Sequence, residues 1–439
     1  MLNGRPMTES ASLYDLYKGC RVKFETPEDG YSYFFGYYDK SPLNKTNSKL
    51  LCHRVAFDGR DVKDGDLAEV GYFSLDQDSP TFIGVGATLA WNWQQGSQLQ
   101  WLGPDFGDVL IYNAIRDNKF VSIVFDTLLA EERVVSSPVY SVHPSGKYAL
   151  TVCFERHYWC RPGYNYQNIK EAKWNVPYHV EDGIYKVDLE SDKKELIVPI
   201  ESLVSREKLP STSEHNNWVE HILYNPIGDR FMFFHRWRDN DQDLSRVYIA
   251  DSNTGYNLIS LPNNQFYSHY FWKNNETLTI WTIPLPAKNK KLSAVVNVAK
   301  NIKWLLRILL PVYRIFKRGL SDSMVETISP RSCLCDFEDY SLECSSENYL
   351  ELEGNGHQSW FKDQARMLND TYQLADGYRY LMVYDSRNKE KKIIGKFYSN
   401  YNDCTYRCDL HPRLNDNNDL IVVDSAHNQN RKMMILEGF

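Results

Sequence analysis

None of the nine cysteines, at positions 20, 52, 153, 160, 333, 335, 344, 404 and 408, forms a CxxC pair. That spacing excludes a zinc ribbon, and no disulfide framework is evident. The opening residues, MLNGRPMTESASLYDLYKG, lack the apolar run of a secretion signal, so a cytoplasmic location is the expectation. There is no GxGxxG turn, Walker loop, HExxH pair or GxSxG elbow. The dinucleotide, P-loop, zincin and serine-hydrolase classes therefore have no support. The net charge of −7 leaves no global positive field to attract nucleic acid. Residues 277–321 contain no Asp or Glu at all.

What is present points to strands. The 439 residues exceed one ordinary domain, but a single large β architecture could use them all. Apolar residues at 42% are enough for a substantial core, and charged residues at 24% exclude a disordered chain. Thirty Tyr and 11 Trp favour strands and surfaces that bind rings.

Seven segments repeat one pattern, a Pro, Asp or Asn turn followed by a run of β-forming residues. They centre on Pro42, Pro104, Pro144, Pro226, Asn274, Asp363 and Pro412. The spacings from Pro104 to Pro144, from Pro226 to Asn274 and from Asp363 to Pro412 match one four-stranded propeller blade, about 40–50 residues. The longer spacings read as blades with insertions. Six runs are followed by a second strand-like piece: GYFSLD, FVSIVFD, GIYKVDL, RVYIAD, YLMVYD and KMMILE. Several end in Asp, as an outer strand entering a turn does. The pattern predicts an all-β, seven-bladed β-propeller that forms a single domain over residues 1–439. Two β-sandwiches are the alternative, but they require a central linker, and no Gly-, Pro- or Ser-rich stretch supplies one.

One stretch breaks the pattern. Residues 288–320 read as an inserted, basic amphipathic helix, kinked at Pro311. Val295, Val298, Ile302, Leu305, Leu306, Leu309, Tyr313 and Phe316 fall on one face, with Lys300, Lys303, Arg307, Arg314 and Arg318 on an adjoining one. Charge interrupts it too often to span a bilayer. It could lie on an anionic membrane surface through residues 295–318, with Trp304 as anchor. Alternatively, it packs against the propeller or a partner.

Polar residues gather near the ends of the repeated strands. His53, His269, His357 and His411 sit there on different blades, and His221 and His235 flank the Pro226 hairpin of another. A neutral imidazole can be a base, a metal ligand or a hydrogen-bond partner. Arg236, Arg238, Arg407, Arg156 and Arg161 accompany them, and Arg is suited to bidentate carboxylate recognition. Inter-blade salt bridges are the alternative use for these arginines. Tyr37, Tyr38, Tyr164, Tyr166 and Tyr372 lie in the same segments. Such a set suits β-elimination on a uronic acid. A cation neutralises the carboxylate, a base removes the α-proton, and an acid protonates the leaving oxygen.

Several segments carry a family resemblance: FGYYDKSP (35–42), QQGSQLQWLGP (94–104), RPGYNY (161–166), DGIYKVDLE (182–190), HILYNPIGDRFMFFHRWR (221–238), SHYFW (268–272), LNDTY (368–372), RCDLHPR (407–413) and DSAHNQNRKMMIL (424–436). Together they resemble the oligogalacturonate-lyase-like and ulvan-lyase-like seven-bladed propellers. The resemblance implies that His235 is the base. It also implies that His269 and His411 bind a divalent metal (Mn, Zn or Ca), with Asp409 where those enzymes have His. Tyr406 stands near the place of their glutamine ligand, and Tyr33 where relatives often carry His.

The expected function is therefore a polysaccharide lyase acting on an acidic, uronic-acid-containing glycan. His235, His221, Arg238, Tyr372 and Arg407 are the expected catalytic residues. Tyr38, Arg161, Tyr164 and His357 are expected to bind substrate, and His269, Asp409 and His411 to bind metal. The alternative is a cytoplasmic, membrane-peripheral protein of surface polysaccharide biosynthesis, either transferase-like or a glycan-binding scaffold. A catalytically silent interaction propeller is a third.

Overall fold

The computed structural model describes residues 13–172, 174–207, 212, 214–239, 242–262, 265–284, 333–337, 349–350, 355–401, 404–428 and 430–439. Their strands form seven antiparallel sheets, six with four strands and one with five. Each sheet is one blade of a seven-bladed β-propeller, as the repeat predicts.

Blade 1 runs from Ser32–Phe34 to Phe82–Thr88, and blade 2 from Gln100–Trp101 to Glu131–Val135. Blade 3 runs from Ser141–Val142 to Lys194–Pro199, and blade 4 from Asn217–Tyr224 to Ile259–Ser260. Blade 5 runs from Gln265–Trp272 to Tyr349–Leu350, and blade 6 from Gln358–Trp360 to Glu390–Tyr398. Blade 7 takes three strands from Arg413–Glu437 and its outer strand, Arg21–Glu25, from the other end of the chain. In that pairing Val22 faces Leu436. A further strand, Tyr14–Leu16, extends blade 6.

Every pair of neighbouring blades shares an apolar cluster, so the ring is closed by packing as well as by hydrogen bonds. Leu51, Leu110 and Val422 join blades 1, 2 and 7. Ile111 and Ala149 join blades 2 and 3, and Leu150 and Phe231 join 3 and 4. Met232 and Ile280 join 4 and 5, Trp281 and Met367 join 5 and 6, and Leu368 and Ile421 join 6 and 7. The second strands are packed on both faces and read as continuous apolar runs. Ile421–Ser425 is buried throughout, whereas the outer strand Glu131–Val135 is exposed at four positions.

In five of the seven blades the repeated turn has the same chemical cause. A side-chain oxygen at its head accepts from backbone N–H groups across the turn. Asn44 Oδ1 accepts from Ser48 and Lys49, Asn225 Oδ1 from Gly228 and Arg230, and Asn415 Oδ1 from Asp419 and Leu420. Asn274 and Asp363 do the same in blades 5 and 6. The strand-like pieces ending in Asp are third strands rather than outer ones. Their Asp residues still head turns, as Asp126 does for Leu128 and Leu129.

The long spacing in blade 3 holds a short helix, α1 (Phe154–Cys160), and an irregular run on either side of residue 173 that ends at Gly183. A second helix, α2 (Ile200–Glu207), follows that blade. The basic segment 288–320 lies outside the described residues. Among the described residues no helix is long and apolar enough to cross a membrane. Cys335 in blade 5 is disulfide-bonded.

Candidate active site in the channel

A cavity of about 520 Å³ opens at one end of the central channel. Its wall is assembled from distant parts of the chain. Tyr37 comes from blade 1, Arg161 and Tyr164 from the insertion in blade 3, and His221 and Arg236 from blade 4. His269 comes from blade 5, Tyr372 from blade 6, and Arg407 from the segment entering blade 7.

Two of these histidines are aimed by irregularities in the innermost strands. The ladder of blade 4 shifts register between Glu220 and Leu223, and that of blade 5 between Tyr267 and Tyr270. Such bulges re-aim a side chain out of the sheet's alternation. His221 takes φ 54°, and His411, at the entry to blade 7, takes φ 44°. Non-glycine residues rarely occupy this left-handed region, and it is held here by surrounding packing.

Glu220 organises one side of the cavity. Its carboxylate meets Arg161 at 2.9 Å, Arg236 directly, and His221 Nε2 at 3.4 Å. Burial opposes its ionisation, but the two guanidiniums outweigh burial and hold the carboxyl well below the usual range. Burial pushes His221 down to about 3 despite Glu220, so its imidazole is neutral at pH 7. His221 Nδ1 has no hydrogen-bond partner. Tyr37 stacks on the His221 ring at 5.4 Å, and Tyr164 meets it edge-on at 5.6 Å. Arg161 lies over the Tyr164 ring, and Arg407 donates to the Tyr164 hydroxyl at 3.2 Å.

The other side is a histidine cluster. The ring of His357 lies 4.0 Å from that of His269 and 4.4 Å from that of His411. In each ring Nδ1 has an acceptor. His411 donates to the Gly36 carbonyl at 2.7 Å, His357 to Asp370 at 2.9 Å, and His269 to Asn355 Oδ1 at 3.0 Å. That pattern places the proton on Nδ1 and leaves Nε2 as a lone pair. The Nε2 atoms of His357 and His411 are buried and have no partner. Ligating histidines are held in this way by outer partners, so these residues fit a bound metal. One ligand atom from each of His357, Asp409 and His411 lies within 4.8 Å of the others. Asp409 is also clamped between Arg379 at 2.7 Å and Arg407 at 2.8 Å, which hold its carboxyl far below the usual range against burial.

The structure thus brings together His221, His269, Tyr372, Arg407, Arg161 and Tyr164 on one cavity wall, with His357, Asp409 and His411 grouped beside it. Tyr372 Oη lies 3.4 Å from His269 Nε2. His357, expected to touch substrate, instead sits at the centre of the imidazole group.

Three expected positions fall elsewhere. His235 is fully buried inside blade 4, with Nε2 bonded to Asn217 Oδ1 at 2.8 Å. It does not line the cavity, because its side chain faces the interior of the blade rather than the channel. Arg238 pairs with Asp243 across the hairpin at 2.8 Å and donates to the Cys160 carbonyl at 3.0 Å. It is not part of the wall either. Tyr38 lines a second cavity of about 550 Å³ at the hairpin end of the channel, and its hydroxyl donates to the Tyr270 carbonyl at 2.7 Å. Tyr33, where relatives often carry His, is buried in the core with its hydroxyl on Asp29.

Sequence reasoning missed Glu220, Asp370 and Asn355. An acidic residue inside an apolar strand, as in WVEHILY and MLNDTY, was the available signal for the first two.

The fold and the site define a seven-bladed propeller with an imidazole, guanidinium and phenol cluster in its channel. No protein-family model and no curated protein matches the chain. Among solved structures it is similar to an oligogalacturonate lyase in complex with manganese, with 16% identity and a TM-score of 0.61, covering 97% of this chain and 96% of that one. It is also similar to an oligogalacturonate lyase from Vibrio parahaemolyticus, with 13% identity and a TM-score of 0.58, again covering 97% of this chain and 96% of that one. At these identities the likeness is one of fold.

Proposed function

We propose that the protein is a polysaccharide lyase that cleaves a uronic-acid-containing glycan by β-elimination. The observation that carries this reading is the single cavity lined by the neutral His221, whose buried Nδ1 has no partner, the Arg161 and Arg407 guanidiniums, and the half-buried Tyr372 phenol. Arg407 and Arg161 orient the sugar carboxylate. His221, in place of the inaccessible His235, takes the α-proton through Nδ1, while Glu220 beside Nε2 stabilises the imidazolium that forms. The C–H electron pair becomes the new double bond as the glycosidic C–O bond breaks. Burial raises the Tyr372 pKa, so its phenol stays protonated and can donate to the leaving oxygen. A divalent metal on His357 and His411, with Asp409 and His269 beside them, would supply charge that acidifies the α-proton.

The test is a panel of acidic glycans monitored for the ultraviolet absorbance of an unsaturated uronate product, with and without added Mn²⁺ or Zn²⁺. Folded protein that forms no such product from any uronate polymer overturns the reading. The membrane-peripheral alternative rests on residues 295–318, outside the described residues, and flotation with anionic liposomes tests it.

A further inference from the structure

Away from the channel, blade 3 carries a second group of metal-ligand side chains that the proposed reaction does not use. We propose that Cys153, Glu171 and Asp182 hold a divalent cation of the zinc class, which clips the inserted segment of blade 3 to its sheet. One ligand atom from each of the three lies within 4.8 Å of the others. They line a cavity of about 210 Å³ together with Glu155, His179 and Lys194.

The donor set is mixed rather than merely acidic. A thiol, two carboxylates and the nearby His179 imidazole, whose Nε2 is 3.0 Å from Glu171, match the S, N and O preferences of zinc. Calcium and magnesium take oxygen ligands, so the thiol argues against them.

An independent observation is the state of Asp182. The residue is 6% exposed, and its Oδ2 has no hydrogen-bond partner. The nearest cation, Arg156 Nε, stands 3.6 Å away. Its N–H is spent on the Asn217 carbonyl at 2.6 Å, while the rest of that guanidinium serves Glu171, Val176 and Pro177. A buried carboxylate oxygen without a donor is costly unless a cation meets it or the group takes up a proton, and burial raises the Asp182 carboxyl to about 7, where the two compete.

Placement gives the site a purpose. Cys153 leaves the second strand of the blade, Asp182 precedes the third, and Glu171 and His179 belong to the irregular run between them. A long stretch without regular structure needs fixing, and a metal clip supplies it. Arg161 and Tyr164 of the channel cavity ride on that same run, so the clip would position them. The inference does not depend on what reaction the channel performs.

The experiment uses the full chain, stripped with chelator and titrated with Co²⁺ alone. Coordination by Cys153 gives a near-ultraviolet thiolate-to-cobalt charge-transfer band, which the sulfur-free group His357, Asp409 and His411 cannot produce. The band is expected to vanish in Cys153→Ser, to weaken in Glu171→Gln, and to persist in Cys404→Ser, which alters the cysteine lining the channel cavity. Bound zinc should fall by one ion per chain in Cys153→Ser. Zn²⁺ should also slow alkylation of Cys153 in the unmutated protein, a readout that needs no variant to fold. No band with excess Co²⁺, a band unchanged in Cys153→Ser, or alkylation indifferent to Zn²⁺ overturns the proposal.

Discussion

His411 Nδ1 donates to the carbonyl oxygen of Gly36 at 2.7 Å, joining two residues 375 positions apart. The bond crosses the seam between the last blade and the first. Arg413 reinforces it by donating to the same carbonyl and to Asp424. One contact therefore serves both levels of the structure. It helps to close the ring, and it fixes the His411 tautomer so that Nε2 faces the other imidazoles as a lone pair.

Gly36→Ala tests that coupling. Gly36 has φ 134°, and a Cβ there would lie 2.8 Å from the backbone carbon of Gln95. The carbonyl must move, and His411 with it. We expect Mn²⁺ or Zn²⁺ affinity to fall by roughly 10–100-fold, with a stability loss of about 1–3 kcal/mol. Calorimetric titration and thermal melts read the two effects. Unchanged metal affinity in the folded variant would show that the Gly36 carbonyl does not orient the ligand.

Glu220→Gln should be among the most destabilising single changes in the channel. It leaves the Arg161 and Arg236 guanidiniums facing a neutral amide in a buried site. Breaking such a pair costs about 3–5 kcal/mol. The exposed pair Lys362–Asp416 is the contrast, since both side chains are more than half exposed. Asp416→Asn should change stability by less than about 1 kcal/mol. Urea titration of both variants decides whether burial sets the difference.

The fold was legible because its signal is local. An Asn or Asp that caps an inner hairpin does so through backbone groups two to five residues away, as Asn225 and Asn415 do, and that chemistry leaves a mark in sequence. The site was only partly legible, because its geometry depends on register. His221 and His235 both follow the apolar alternation of blade 4, yet the shift between Glu220 and Leu223 changes the phase of one strand only. Counting by twos cannot tell which of the two turns into the channel. Arg238 misled for a related reason. It stands opposite Asp243 across the hairpin, an ordinary cross-strand pair. His357 joined the imidazole group only through the packing of blades 5, 6 and 7 side by side, which no local pattern encodes.

Acid should unfold the protein through its buried imidazoles. Burial lowers His53 to about 4 and His235 to about 3, from the ordinary imidazole value of about 6.5. The folded pKa values are below the unfolded ones, so the unfolded chain binds these protons first. Their stabilising contribution is complete above about pH 6.5 and is lost as pH falls toward 4 and below. His235→Gln should flatten this loss if Gln keeps the bond to Asn217. Tryptophan fluorescence against pH reads it, helped by Trp237, whose ring centroid lies 5.3 Å from that of His235. An identical acid midpoint in the variant would remove His235 from the account.

Deleting the residues before Ser32 should open the ring. Arg21–Glu25 is the outer strand of blade 7, and without it the strand Lys432–Glu437 becomes an unpaired edge. Such an edge invites pairing with other chains. The truncated protein should melt at lower temperature and self-associate, as light scattering would show. A monomer of unchanged melting temperature would mean that inter-blade packing alone holds the ring.

Replacing the two blade 4 histidines separates chemistry from scaffolding. His221 lines the cavity and its buried Nδ1 has no partner, whereas His235 is absent from the cavity wall and is bonded through Nε2 to Asn217. If His221 is the base, His221→Gln should lower kcat on a uronate substrate by roughly 10²–10⁴-fold while KM changes little. His235→Gln should leave kcat nearly intact and act on stability instead. A slow His221 variant could also reflect the loss of stacking on Tyr37, since the two rings are 5.4 Å apart. Thermal melts and substrate affinity distinguish these causes. Losing the base lowers kcat in a variant whose melting temperature and KM are unchanged, whereas a packing defect lowers the melting temperature as well. Retained activity in His221→Gln together with a dead but folded His235→Gln would reverse the assignment and return the base to the interior of blade 4.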